Sequence, residues 1–205
     1  MKQNTILIAV IALLIGGIGG YVIADKKYYD MRDMDHSLMM SNEKETGSMP
    51  MGSMAGMDHG AMMVGSEREF IAGMIPHHQE AVDTASEVLA RGGSTEEIRS
   101  LAAAIVEAQE KEITMLKKWH LDWYNEAYDE DDSYQTMMRD LSSLSGADLD
   151  KRFLEDMIPH HMGAIMMAKS VQPYIEHQEI ADMADAIMKT QTDEIELMRD
   201  MLSRL

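Results

Sequence analysis

FIAGMIPHHQEAVDTA, residues 70–85, and FLEDMIPHHMGAIMMA, residues 153–168, carry the same pentapeptide MIPHH at a spacing of 83 residues, with Phe70 and Phe153 in register. Stepping about 100° per residue puts Phe70, Met74, Ala81, Ala85 and Val88 on one side of an apolar stripe. Ile71, Ile75, Val82 and Leu89 form the other side. A stripe of this width marks a helix with one face in a core. His78 falls in the middle of it and His77 at its edge; in the second copy His161 is central and His160 marginal. Met74 and Met157 each lie one turn from both histidines of their copy, and Met167 lies on the side of His160 two turns on. Pro76 and Pro159 each remove a helical hydrogen bond and free the carbonyl of Ala72 or Glu155, which can open the helix where the histidines project.

The repeat continues outward. Ser66 to Glu69 has the form of a capping box, and its helix runs to about Arg91, where Gly92-Gly93 stop it. Ser94-Thr95-Glu96-Glu97 opens a second helix that reaches about Tyr124. The acidic run Asp129 to Asp132 lacks the spacing of a calcium loop and reads as solvated connector, with a short helix expected over residues 133–143. A third helix starts near Ser145 and ends before Pro173; a fourth runs from about Glu176 to the C-terminus. Leu101, Ile105, Gln109, Glu112 and Ile113 match Met183, Ile187, Gln191, Glu194 and Ile195 at an offset of 82. Two helical hairpins with one apolar stripe each bury those stripes against each other. The predicted fold is therefore all-α, a pseudo-twofold four-helix bundle over residues 66–205 with repeats at about 66–124 and 145–205.

Gln109 and Glu112 interrupt the apolar face of the second helix, as Gln191 and Glu194 interrupt that of the fourth. Antiparallel hairpins bring them level with His78 and His161. The expected result is a buried polar layer of six side chains, which must be satisfied internally. Two roles remain open for its histidines: fixing helix register through a carboxylate, or ligating metal with the carboxylate as orienter. For the edge histidines, His77 and His160 with a methionine nearby, ligation is the expectation.

Composition narrows the chemistry. The chain has 205 residues, 36 acidic against 18 basic, and a net charge of −18, which argues against nucleic acid as a partner. It has no cysteine but 23 methionines. Thioether sulfur selects soft ions such as Cu(I) or Ag(I). Residues 4–24, NTILIAVIALLIGGIGGYVIA, are uncharged and long enough to span a bilayer; they read as an uncleaved membrane anchor or a signal peptide, so the protein is expected outside the cytoplasm. Residues 26–65 have no helical or strand period and are expected to be disordered. Met31, Met34, Met39, Met40, Met49, Met51, Met54, Met57, Met62 and Met63 fall there, with His36 and His59 inside two MDH tripeptides. The segment is either a plain tether or a metal-capturing arm, and the density of methionine favours capture.

The MDHSLMM and MDHGAMM runs resemble the Met-rich motifs of bacterial copper-resistance proteins. FxxxMIPHHxxA followed by QxxEI resembles the domain of unknown function 305, in tandem over residues 67–205. With its N-terminal segment the whole chain looks like the exported CopM-like copper-binding proteins. The resemblance implies a ferritin-like bundle, copper resistance, and copper ligation by Met74, His77 and His78 and by Met157, His160 and His161. Met34, His36, Met54, Met57, His59 and Met62 are the ligands expected in the arm. The copies differ at Met162 and Met166, which have no methionine counterpart in the first. The expected function is sequestration or ferrying of Cu(I), with Cu(II) or Ag(I) as further ions and a copper exporter or another copper protein as recipient. A ferritin-like di-metal oxidase is the enzymatic alternative, although its Glu-x-x-His pairs are absent from the four helices. A membrane-anchored interaction module with structural histidines is the third.

Overall fold

A computed structural model describes residues 62–129 and 134–205. The N-terminal apolar stretch and the arm residues Met34, His36, Met54, Met57 and His59 lie outside the described residues. Four helices are present: α1 (Glu67–Arg91), α2 (Glu96–Tyr124), α3 (Gly146–Val171) and α4 (Gln178–Arg204), with a 3-10 turn at Gln172–Tyr174. Among the described residues there is no strand, so the fold is all-α.

Local chemistry starts and stops these helices. Ser66 Oγ accepts from the Glu69 N–H at 3.1 Å, while the Glu69 carboxylate accepts from Gly65, one residue upstream of the usual capping-box partner. Thr95 Oγ1 accepts from the Ile98 N–H at 3.2 Å and begins α2. Gly93 ends the first helix in the left-handed region at φ 66°, and Asn125 ends the second at φ 53°. Replacing Ser66 with alanine should cost about 1 kcal/mol, seen as a lower urea midpoint with an unchanged m-value.

α1 packs on α2, α3 on α4, and the hairpins meet through α1 and α3. The core forms two apolar clusters. One joins Phe70, Ile71 and Met74 of α1 to Met167, Ala168 and Val171 of α3; the other joins Ala81, Ala85 and Val88 to Leu149, Phe153 and Met157. The first half of each central helix thus meets the second half of the other, and the two run antiparallel. Each fully buried Phe, Leu or Met contributes about 1.5–3 kcal/mol. Between the clusters, at mid-height, sit the four MIPHH histidines.

A reciprocal clamp joins the hairpins. The Glu67 carboxylate on α1 accepts from the N–H groups of Glu176 and His177 at 2.6 and 2.8 Å, in the turn between α3 and α4. Asp150 on α3 accepts from Gly93 and Ser94, both at 2.6 Å, in the turn between α1 and α2. Positions 67 and 150 are related by the same 83-residue offset as the pentapeptides. Gly92 has to be small because a Cβ there would lie 2.7 Å from both Asp150 Oδ1 and Leu149 Cδ2.

The helix expected over residues 133–143 is not found: residues 134–143 form a non-helical strap. Its donors are taken by side chains of the bundle. Met137 and Met138 donate their N–H groups to Glu80 Oε1 at 2.8 and 2.9 Å, Tyr134 donates its hydroxyl to Glu80 Oε2 at 2.6 Å, and Arg139 donates Nε to Asp156 at 2.8 Å. The Arg139 N–H also goes to Asp156, so three consecutive backbone donors at the middle of the strap are bonded to bundle carboxylates rather than to an i to i−4 ladder.

Candidate metal centre

Pro76 and Pro159 lie inside unbroken helices, each just ahead of its histidine pair. His78 and His161 are fully buried, as expected of central positions. The edge position expected for His77 and His160 is corrected: both are only 1% exposed. Their rings face each other across the α1–α3 interface, with centroids 3.7 Å apart and planes at 32°. A projection of one helix locates the edge of its own stripe. It does not show that the partner's equivalent edge closes over it.

The inner histidines are engaged within their hairpins. His161 Nε2 is hydrogen-bonded to Glu194 Oε2 at 2.7 Å. His78 Nε2 lies equally close to Glu112 Oε2, 2.7 Å away, but not in line for a hydrogen bond. Glu112, Glu194, Gln109 and Gln191 are all buried, and the side-chain carbonyls of both glutamines lack a hydrogen-bond partner. The structure therefore assembles the six-residue layer as two His–Glu pairs flanked by two under-satisfied amides.

The outer pair is different. Neither ring nitrogen of His77 or His160 has a hydrogen-bond partner. Burial, reinforced by the neighbouring imidazoles, pushes the pKa of both well below the usual histidine range. A neutral imidazole presents a lone pair, the form in which histidine binds metal. His160 Nε2 has a carboxylate oxygen of Glu80 at 3.3 Å. Glu80 was not legible as a site residue, because it falls outside the apolar stripe of α1. The available signal was a comparison of the copies, since position 163, its equivalent, is glycine. Tyr134 shares that carboxylate, and its phenol is pushed well above the usual range by burial and by the bond to Glu80.

The expected methionines divide. Met74 and Met157 are fully buried but belong to different apolar clusters, one on each side of the histidine layer. Met62 packs as a partly buried side chain against the first cluster, and its sulfur approaches His77 beside Gly163. Met162 is partly buried against the second cluster. Among the described residues no three His, Asp or Glu side chains converge on a metal-sized site, so the carboxylate-rich ligand set of a di-metal oxidase is not assembled there. What the layer offers instead is neutral nitrogen with thioether sulfur nearby, a donor set suited to a soft monovalent ion.

The family model for the domain of unknown function DUF305 matches residues 22–120 and 67–202. Among solved structures, the chain is similar to CopM in its Cu(I)-bound form, with 30% identity and a TM-score of 0.63 over 69% of this chain and 98% of that one. The Cu(II)-bound form of CopM gives 30% identity and a TM-score of 0.62 over 69% and 99%. A DUF305 protein from Streptomyces coelicolor gives 29% identity and a TM-score of 0.60 over 68% and 92%. No curated protein matches the chain.

Proposed function

The chain belongs to the DUF305 family, and from that premise we propose that it binds copper outside the cytoplasm, sequestering or ferrying Cu(I) through methionine and histidine and so contributing to copper resistance. One observation carries this reading: two neutral imidazoles, His77 and His160, are buried in contact with each other and without hydrogen-bond partners. Burying a polar group unsatisfied costs about 1–3 kcal/mol. A bound ion would recover that cost. The CopM structures with Cu(I) and Cu(II) support the same ligand class, and a further CopM structure holds silver.

In this reading Met34, His36, Met54, Met57 and His59 of the arm capture the ion. Met62, Met74, His77, His78, Met157, His160 and His161 are the candidate ligands in the bundle. Glu194, hydrogen-bonded to His161, and Glu112, 2.7 Å from His78, orient the inner imidazoles, with Gln109 and Gln191 in the same polar layer. The apolar stretch over residues 4–24 and the Streptomyces coelicolor relative, which is regarded as secreted, support placement outside the cytoplasm. No helix among the described residues is long and apolar enough to cross a membrane. The function proposed is binding and transfer, without turnover.

The test is an anaerobic Cu(I) titration against a competing chelator. It compares the full chain, a variant lacking residues 31–61, and the double variant His77→Leu/His160→Leu. The arm deletion should lower the number of ions bound. The double variant should weaken the remaining binding by at least about tenfold, a loss of about 1.4 kcal/mol. Leucine replaces two unsatisfied polar groups with apolar ones, so the fold should survive. Unchanged stoichiometry and affinity in both variants would sink the reading.

A further inference from the structure

We propose that the bundle holds one soft-metal site rather than two, built from His77 Nε2 and the thioethers of Met62 and Met137 around Gly163. The site rests on the copper-binding reading and sharpens it, because the two copies of MIPHH are not equivalent where it matters. Three residues beyond the outer histidine the first copy has Glu80, and the second has Gly163. Across the pseudo-twofold axis Glu80 stands beside His160, with its carboxylate 3.3 Å from Nε2. Gly163 stands beside His77. The half of the interface that contains His160 holds a carboxylate; in the other half three side chains close in over the glycine.

The side chains that converge over Gly163 carry soft donors. The point where a Cβ on Gly163 would sit is 3.1 Å from His77 Nε2, 3.2 Å from Met62 Sδ and 3.3 Å from Met137 Cε, the methyl carbon bonded to that residue's sulfur. His77 is 1% exposed and has no hydrogen-bond partner at either nitrogen, so an unpaired donor points into this space. One nitrogen and two thioethers suit a closed-shell monovalent ion, Cu(I) or Ag(I), and suit a hard or divalent ion poorly. Glycine in a helix interior costs about 1 kcal/mol relative to alanine. Here it lets His77, Met62 and Met137 approach more closely than an alanine methyl would allow.

The two sulfurs arrive on separately anchored segments. Met137 belongs to the strap, and its N–H is held by Glu80 Oε1 at 2.8 Å. Glu80 is thus a positioning residue, placing Met137 on one side while occupying the space at His160 on the other. Met62 precedes Val64, whose N–H is donated to Ser170 Oγ at 3.0 Å. Met62 is also one of the last methionines of the Met-rich segment, next to the exposed Met63. An ion leaving the arm would meet the bundle at this site.

The experiment uses the full chain carrying ¹³C-methyl methionine, titrated with Ag(I) and followed by methyl resonances. Met62→Leu and Met137→Leu identify the two signals by their loss. The Met62 and Met137 signals should shift together and saturate together. Met62→Leu and Gly163→Ala should each weaken the response at Met137 by at least about tenfold, whereas Met201→Leu, at the far end of α4, should leave it unchanged. If Met62 and Met137 stay still while other methionines shift, this site is wrong and copper binding stands. If no methionine shifts, both fall. If the Met137 response is the same in Gly163→Ala and Met62→Leu as in the native chain, the shared site is overturned.

Discussion

Lowering the pH of the metal-free protein from 7.5 to 5 should remove several kcal/mol of stability, most of it below pH 6.5. His77 and His160 have their pKa values driven well below the ordinary 6.5 in the folded state by burial and by the neighbouring imidazoles of the layer, His78 and His161 among them. Unfolded, both titrate near 6.5. Below that value the unfolded chain takes up two protons that the native state refuses, so stability rises with pH across the window. It is fully present above about pH 6.5 and is lost as the pH falls toward the depressed folded values. Each histidine contributes a slope approaching about 1.4 kcal/mol per pH unit, so the pair approaches about 2.7. Urea midpoints at pH 7.5, 6.0 and 5.0 measure it. The His77→Leu/His160→Leu protein should lose most of this slope; an equal slope in that variant would show that other groups carry the acid sensitivity. Glu67 titrates outside this window. Burial raises its pKa, but hydrogen bonds from His177 and Glu176 outweigh that and hold it below the usual carboxylate value.

Asp150→Ala should be the most damaging change to a charged residue, at about 3 kcal/mol. The carboxylate is completely buried and accepts from two turn N–H groups of the opposite hairpin. Hydrogen bonds to a charged group are worth about 1.5–3 kcal/mol each, and truncation leaves the buried Gly93 N–H without its acceptor. Asp150→Asn keeps one acceptor oxygen and should lose roughly half as much. Both are read from chemical denaturation, and a loss under about 1 kcal/mol for the alanine variant would mean that the clamp adds little. Glu67→Ala removes the equivalent contacts at the other end. It should also cost stability, since Glu67 accepts from Glu176, His177 and the His177 ring.

Much of this architecture was readable in one dimension. The 3.6-residue period of Phe70 to Val88, its return at Phe153, and the capping signals at Ser66 and Thr95 define four helices in two hairpins. The same arithmetic put Glu112 level with His78 and Glu194 level with His161, because height in an antiparallel hairpin follows from counting residues to the turn. These features depend on the local geometry of one helix or one hairpin.

What lay between the hairpins was not readable. The stacking of His77 on His160 depends on how α1 crosses α3, and that crossing is set by how whole faces interlock. The strap at residues 134–143 takes its conformation from Glu80 and Asp156, which are remote in sequence, so local propensity misjudged it as a helix. Met137 has no periodic partner and became a candidate ligand only when the strap was seen to cross Gly163. By itself the sequence determined the repeat, the helices and the residue types suited to a soft ion. Only the tertiary structure decided which difference between the two copies matters, because glutamate in one and glycine in the other acquire meaning only when folding sets each beside the other copy's histidine.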